Sequence, residues 1–394
     1  MMRRININRS RFNSRRSSKR RKGAALILAL FLLSVLISML ALSIDIGYIA
    51  ASKSEARRSA DAAALAGCWQ IYESTKINQD ETMLQTGVQS AANLMAGLNS
   101  VCNNSPILST SSTDSDISIG YLASLDGNSP IVSSSNNPYR AVRVTLRKTE
   151  NFNGQVPLFF ANFFGQSGRN MTVEATAAMA WQVKGFSSPS SFGSANLGVL
   201  PFAIDETTWN DMLNGGGTDS YKYDFDRLTV SSVSDGIREV NLYPQGTGSP
   251  GNRGTVDIGG ANNSTADLAR QIVYGISAQD FTELGKPLVL GTTGTMTLNG
   301  DTGISAGVKD ELANIIGQTR IIPVFSSVSG NGNNAMFTIV RWVGVRVLAV
   351  NLTGAMNSKY LMVQPAPVLA RNVIPGDTSR TWSSTIYSPV VLVK

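Results

Sequence analysis

The sequence predicts an α+β protein: one N-terminal transmembrane helix that extends outside the membrane, followed by a mixed, antiparallel, β-rich exterior portion. Three observations predict it. An unbroken apolar run fills Ala24–Ile44, nothing after it breaks a helix until Gly67, and the remainder sets short alternating segments between clusters of Gly, Ser, Asn and Thr. A chain of 394 residues has room beyond the anchor for one or two domains with cores of their own.

The first element is a basic tail, residues 1–23. Ten of the 34 Lys and Arg lie in residues 1–22 with no acid among them, so the other 24 bases face all 27 acids and the rest of the chain is net −3. That balance gives the body of the protein no global attraction for nucleic acid. Arg15-Arg16 and Lys19-Arg20-Arg21-Lys22 have the charge to neutralise phosphates, but bases beside an apolar run are better explained by anionic lipid, at about 1 kcal/mol each. The expected partner is membrane lipid, and no nucleic acid is expected.

The second element is the span itself, 24–44. Its 21 residues contain no charge and no Pro, and as a helix they cover about 32 Å, the thickness of a bilayer's hydrocarbon. A soluble core helix is rarely apolar on every face. A secretory h-region runs about 7 to 15 residues and ends at a small-x-small site, whereas this run continues into Asp45 without a break. With ten bases before it, the expectation is an uncleaved single-pass anchor of a bacterial inner membrane, N-terminus cytoplasmic and C-terminal portion periplasmic or surface-directed.

Beyond the span come Asp45-Ile46-Gly47-Tyr48 and then Ser54-Glu-Ala-Arg-Arg-Ser-Ala60-Asp-Ala-Ala-Ala-Leu-Ala-Gly67. Taken with the basic flank, Gly23-Ala24 and the apolar run, this stretch from Arg21 to Gly67 resembles the N-terminal segment of TadE/TadG-like proteins of the Tad (Flp) pilus-assembly system. Val156-Pro-Leu-Phe-Phe-Ala161, Val173-Glu-Ala-Thr-Ala177 and Pro250-Gly-Asn-Arg-Gly254 leading to Asp257 are similar to exterior parts of TadG-like proteins. The resemblance implies a membrane-anchored protein working in assembly or anchoring of Tad pili with other Tad pilus-assembly proteins as partners, and it implies no catalysis. Two departures qualify it. Prepilin-peptidase substrates carry Glu five residues after the cleaved Gly, and here that position is Leu28; the D-x-S-x-S metal motif of von Willebrand A domains is missing.

On physical grounds, Ala60, Ala63, Ala64 and Gly67 recur at helical spacing and offer a surface on which another helix can pack closely, in a homo- or hetero-oligomer or within the chain. Gly47 belongs to the same segment. Asp45, at the outer membrane boundary, has three readings: pairing with a partner's base, capping a neighbouring helix, or facing water. Cys68 and Cys102 are an even number that an oxidising periplasm allows to pair, with two free thiols as the equal alternative.

The exterior elements follow in order, with residues 45–183 as a helical and stranded stalk domain, 184–196 as a linker rich in Ser, Gly and Pro, and 197–394 as an α+β domain. A second helix is expected over 80–98, burying Leu84, Val88, Ala91, Met95 and Leu98 against the first. Residues 103–116 read as a loop, 140–148 as a strand, 156–164 as a short aromatic helix and 171–181 as a strand. Past the linker, strands are expected near 199–204, 221–226, 238–243, 255–258 and 287–290, and helices near 265–275 and 305–317. Residues 320–328 and 336–352 read as a hairpin about the turn Ser329–Asn334.

Histidine is absent, which removes the commonest general base and the commonest metal ligand. Gly303-Ile-Ser305-Ala-Gly307 matches the nucleophile-elbow spacing, but without a histidine only a Ser305/Lys309 pairing is left to it; a serine starting the next helix is the simpler reading. Gly246-Thr-Gly-Ser-Pro-Gly251 fits a dinucleotide fingerprint in spacing and reads as a turn. Asp224/Asp226 and Asn299-Gly-Asp301 have oxygen ligands for calcium but are ordinary turn acids. No cofactor, metal or catalytic residue is expected. The function expected is a non-enzymatic component of pilus assembly, against two alternatives, a surface adhesin unrelated to pili and a Ser-based hydrolase.

Overall fold

The computed structural model describes residues 22–76, 80–189, 195–243, 253–259, 264–330, 332–378, 382 and 385–393. The basic tail up to Arg21, residues 190–194 of the Ser/Gly-rich linker and the Gly246–Gly251 spacing lie outside them.

The architecture is α+β, with one long apolar helix at the N-terminus and a β-rich remainder. Helix α1 (Lys22–Lys76) is a single 55-residue rod. It passes straight through Gly67, where the sequence predicted a stop. A Cβ there would stand 3.1 Å from Val142 and 3.3 Å from Val88, so the glycine is kept for close packing and not as a terminator. Asp80 caps helix α2 (Glu81–Leu98) by accepting the Met83 amide. The buried face of α2 is Leu84, Val88, Ala92 and Ala96, rotated from the predicted Ala91, Met95 and Leu98. The reason is its counterpart: α1 presents alanines and Gly67, and the two backbones come close enough that small residues, Ala92 and Ala96, fill the later half of the face.

Both helices lie on one face of a four-stranded antiparallel sheet in the order β10-β3-β2-β1, made of β1 (Ile117–Leu122), β2 (Tyr139–Lys148), β3 (Met171–Ala180) and β10 (Val391–Leu392). Strands β2 and β3 stand where sequence alternation put them, paired in register from Tyr139↔Ala180 to Lys148↔Met171. One continuous core fills the space between sheet and helices: Ala56, Ala60, Ala63, Ala64, Cys68 and Ile71 of α1, the α2 stripe, Val142, Val144 and Leu146 of β2, and Val173, Ala175, Ala177 and Met179 of β3. The final strand β10 crosses back from the C-terminal part to the edge of this sheet, pairing Val391 with Ala178.

The rest is built on a ring of strands. Strands β4 (Phe202–Asp205), β5 (Arg253–Val256), β6 (Met296–Asp301), β8 (Ala335–Asn351) and β7 (Thr319–Ser329) pair in that order, and β7 returns to β4 in parallel, so five strands close on themselves. Closure leaves these strands no free edges. Strand β9 (Tyr360–Pro365) and the short Val240–Asn241 extend the sheet from β8. The hairpin predicted from 320 to 352 is present as β7 and β8. A register shift near Val324 and Phe325 changes which core the odd positions of β8 face: Phe337 and Ile339 enter one cluster, Val343, Val345 and Val347 another.

Other elements depart from expectation. Val183–Phe186, at the start of the expected linker, is a strand held between Leu288–Val289 and Val373–Pro375, where a Cβ on Gly185 would meet the Leu288 carbonyl at 2.2 Å. Residues 156–164 form the first strand and tip of a hairpin, with only a 3-10 turn over Ala161–Phe164, because Val156 and Pro157 are taken up in pairing with Arg169 and Gly168. The expected 305–317 helix is shorter, a 3-10 turn followed by Lys309–Ala313. Helices Glu206–Leu213 and Ala278–Leu284 and strand β6 were not predicted.

Candidate functional site

The features that set this chain apart gather where α1 leaves its apolar run and enters the folded body. Through the run, Leu26–Ile44, the large side chains are exposed on all faces. It is the one described helix long and apolar enough to cross a membrane, and it lies near the N-terminus. At Asp45 the surroundings change within a single residue.

Asp45 is only 3% exposed, and its carboxylate accepts four hydrogen-bond contacts from three consecutive amides 114 to 116 residues away. Phe159 N–H donates to Oδ1 at 2.9 Å, Ala161 N–H to Oδ2 at 2.7 Å, and Phe160 N–H to both oxygens at 3.3 and 3.1 Å. Burial pushes the carboxyl's pKa up; the amides, Ala161's foremost, outweigh it and hold the group below the ordinary carboxylate value. Of its three sequence readings, the one the geometry resembles is capping, applied to the turn that opens Ala161–Phe164. Tyr48, one turn further on, meets the Phe159 ring edge-on at 5.1 Å.

A second brace lies above. The Cys102 amide donates to Glu55 Oε2 at 2.9 Å and its thiol lies 3.2 Å from Ser52 Oγ, which bolts the turn after α2 to α1; Cys102 and Asn103 both adopt positive φ to make that turn. Higher still is the small-residue seam. Ala60, Ala63, Ala64 and Gly67 are fully buried, the Gly67 surroundings being Val88 and Ala92 of α2 and Val142 of β2. Backbones approach closely enough for Ser59 Oγ to donate to the Ala96 carbonyl at 3.1 Å. The helix that these residues admit is therefore α2 of the same chain. Gly47 differs: it is exposed and nothing stands within 4 Å of its missing side chain.

Of the two readings for the cysteines, the structure holds two free thiols. Cys102 sits beside Ser52, and Cys68 is sixteen residues further along the same helix, about 24 Å away along the axis, against the Arg140 carbonyl. Burial pushes the Cys68 thiol up to about 12.

The sequence reading of 156–164 as a short aromatic helix did not extend to its exposure. The hairpin tip carries Phe159, Phe160, Phe163 and Phe164, the last two 89% and 84% exposed. Their clustering was the available signal: four of the chain's 14 Phe stand within six residues. Behind the tip, Ile46, Ile49, Val156 and Met171 floor a cleft of about 420 Å³ whose rim includes Lys53 and Arg169. At the far end of α1, Thr75 and Lys76 share a larger cleft, about 530 Å³, with Met212, Arg238 and Pro365.

Elsewhere the motif residues serve the backbone. Ser305 Oγ accepts the Gly307 amide at 3.2 Å and lies 3.3 Å from Thr265 Oγ1, as expected of a serine starting a helical turn. Asp224 accepts the Asp226 and Arg227 amides and Asp301 accepts the Gly303 amide. Among the described residues no group of three acids or cysteines is placed to hold a metal.

Two family models match the chain across this site. One described as Flp pilus-assembly TadE/G-like covers residues 23–70, and one described as Tad-like Flp pilus-assembly covers residues 50–177. No curated protein and no solved structure matches. The first model takes in the apolar rod, Asp45 and the alanine seam, the second the seam, α2, most of the sheet and the aromatic hairpin, and the two matches over residues 23–177 support a Tad-like Flp pilus-assembly protein.

Proposed function

We propose that the protein is a non-enzymatic, single-pass anchor in Flp pilus assembly, with its tail in the cytoplasm, α1 through the inner membrane and its β-rich body outside, where it contacts other pilus-assembly proteins. The observation that carries this is the continuity of α1, whose exposed apolar half becomes, without a break, the central helix of a packed core. A chain built this way fixes a folded body at a set distance from a bilayer. The basic tail gives the orientation. In this reading residues 45–183, with β10 added at the sheet edge, are the stalk and the rest of 197–394 the exterior domain, and the exposed Gly47 is where a partner's helix, or a second copy's, comes closest to α1. The seam residues Ala60, Ala63, Ala64 and Gly67 act from within, by fixing α1 to its own body.

Protease protection in intact cells, spheroplasts and inverted vesicles tests the anchor and its direction. A full-length product, digested from the outside down to a fragment that keeps α1, is expected. Loss of about 23 residues on maturation points instead to prepilin-like processing that leaves the span in place, and loss of about 44 residues, which removes the span, overturns the anchor. A deletion strain that keeps its pili but no longer attaches to a surface replaces assembly by adhesion, and a Ser305→Ala variant that abolishes a measurable hydrolysis overturns the non-enzymatic reading.

A further inference from the structure

We infer that the hairpin tip Leu158–Gly165 is a second membrane contact, seating its phenylalanines in the outer interface of the same bilayer that α1 crosses. The inference rests on α1 being the anchor.

The tip's height is set by Asp45. Its amides are clamped to the residue immediately after the apolar run, and Phe159 packs on Tyr48 one turn further along, so the backbone of the tip sits at the boundary that α1 defines. On the same helical face, Ala41 is half-buried while its neighbours on either side stay exposed, and at 1.5 Å per residue it lies about 6 Å inside the run. The covered face thus reaches below the boundary. Phe163 and Phe164 occupy the tip with almost no protein around them, which an aqueous loop has little reason to do and a loop in the headgroup region does. The tip carries no charge from Leu158 to Gly168. Bases return just behind it: Arg169 follows the tip and Lys53 stands eight residues, about 12 Å, beyond Asp45, both on the rim of the cleft floored by Ile46 and Ile49. Aromatic rings at the interface with Lys and Arg at headgroup height are the order in which a protein meets a lipid leaflet. A bilayer continuous with the exposed surface of α1 is accordingly the occupant of this patch.

The test uses full-length protein reconstituted in vesicles of phosphatidylethanolamine and phosphatidylglycerol. An environment-sensitive fluorophore is placed on Phe163→Cys, with Cys102→Ser to leave only the buried Cys68, and compared with the same label on Ser232→Cys in the exterior domain. Phe163 contributes nothing to the core, so the variant folds. The expected result is a blue-shifted label at 163, quenched by nitroxide lipids and shielded from iodide, each by about twofold or more relative to 232. A label at 163 as accessible to iodide as that at 232 overturns the inference and gives the patch to a protein partner. Extraction of the same vesicles with alkaline carbonate separates the two failures: protein that stays in the membrane with a water-exposed label refutes the second contact alone, and protein that comes off refutes the anchor as well.

Discussion

Gly67 tests whether the seam between α1 and α2 is as tight as its geometry implies. Replacing it by Ala adds a Cβ 3.1 Å from Val142 Cγ1, 3.3 Å from Val88 Cγ1 and 3.5 Å from Ala92 Cβ, where carbons prefer 3.5 to 4.0 Å. Helix propensity favours the alanine by about 1 kcal/mol, and the crowding costs about 1 to 3 kcal/mol because both valines are themselves buried in the core. The net is a loss of about 0 to 2 kcal/mol. Gly67→Leu adds three more carbons with no space to enter, so its cost exceeds about 3 kcal/mol and α2 lifts from the rod. Gly47→Ala meets nothing within 4 Å and takes the propensity gain of up to about 1 kcal/mol undiminished. The reporter is Cys68, the next residue, whose thiol is fully buried: its alkylation rate in detergent-purified protein follows opening of the seam, with overall stability from guanidinium unfolding alongside. The expected order of protection is Gly47→Ala and wild type alike, then Gly67→Ala, then Gly67→Leu. A Gly67→Leu protein with Cys68 still protected and an unchanged midpoint refutes the seam as described.

Further expectations follow from the other contacts. Asp45→Ala leaves three amides without their acceptor and frees the aromatic tip, so chymotrypsin cleaves within Phe159–Phe164 faster than in wild type, with Asp45→Asn intermediate because its one carbonyl oxygen still accepts; equal rates for all three dismiss the clamp. Wild-type protein titrates with two thiols when denatured without reductant, and when native its Cys102 reacts ahead of Cys68, whose pKa is pushed up to about 12 by burial; no free thiol after non-reducing denaturation contradicts this. Asp280 is buried, which raises its pKa, but Arg270 and Ser277 bring it below the usual value. Because the folded value is the depressed one, its contribution is complete above the unfolded carboxyl's ordinary pKa, about 3.9, and fades as pH falls through the folded value. Asp280→Asn is therefore expected to lose about 1 to 3 kcal/mol at pH 7, nearer the lower figure since Arg270 reaches solvent, and to show a shallower acid limb in urea melts below about pH 5. An unchanged acid limb removes Asp280 from the account.

What could be read in the sequence was whatever a single segment carries by itself. The apolar run, the helix over 80–98, the alternation of β2 and β3 and the long β7–β8 hairpin are local patterns, and each is present in the fold. Ala60, Ala63, Ala64 and Gly67 announced close packing by their size, although nothing in their spacing said that the neighbour would be α2 of the same chain. Contacts across sequence were hidden. The amides that hold Asp45 belong to residues more than a hundred positions away, and backbone amides have no residue type to signal them. Strand β1 was masked by Gly120, whose missing side chain makes room for Ile131 and the Val132 carbonyl. Closure of the five-stranded ring depends on the parallel meeting of Val324 with Ile204, a property of topology that neither strand carries alone.

An unhinged α1 also has mechanical consequences. From Ile44 to Lys76 the rod runs about 48 Å outside the apolar stretch with no break, so the body cannot swivel on the anchor. A tilt of about 20°, ordinary for a single helix in a bilayer, swings its outer end sideways by about 16 Å. If α1 is the anchor proposed above, the protein is a mast stepped into the membrane: a change in bilayer thickness that alters tilt is delivered to the β-rich body as lever motion, and a pull on that body is returned to the lipid as torque.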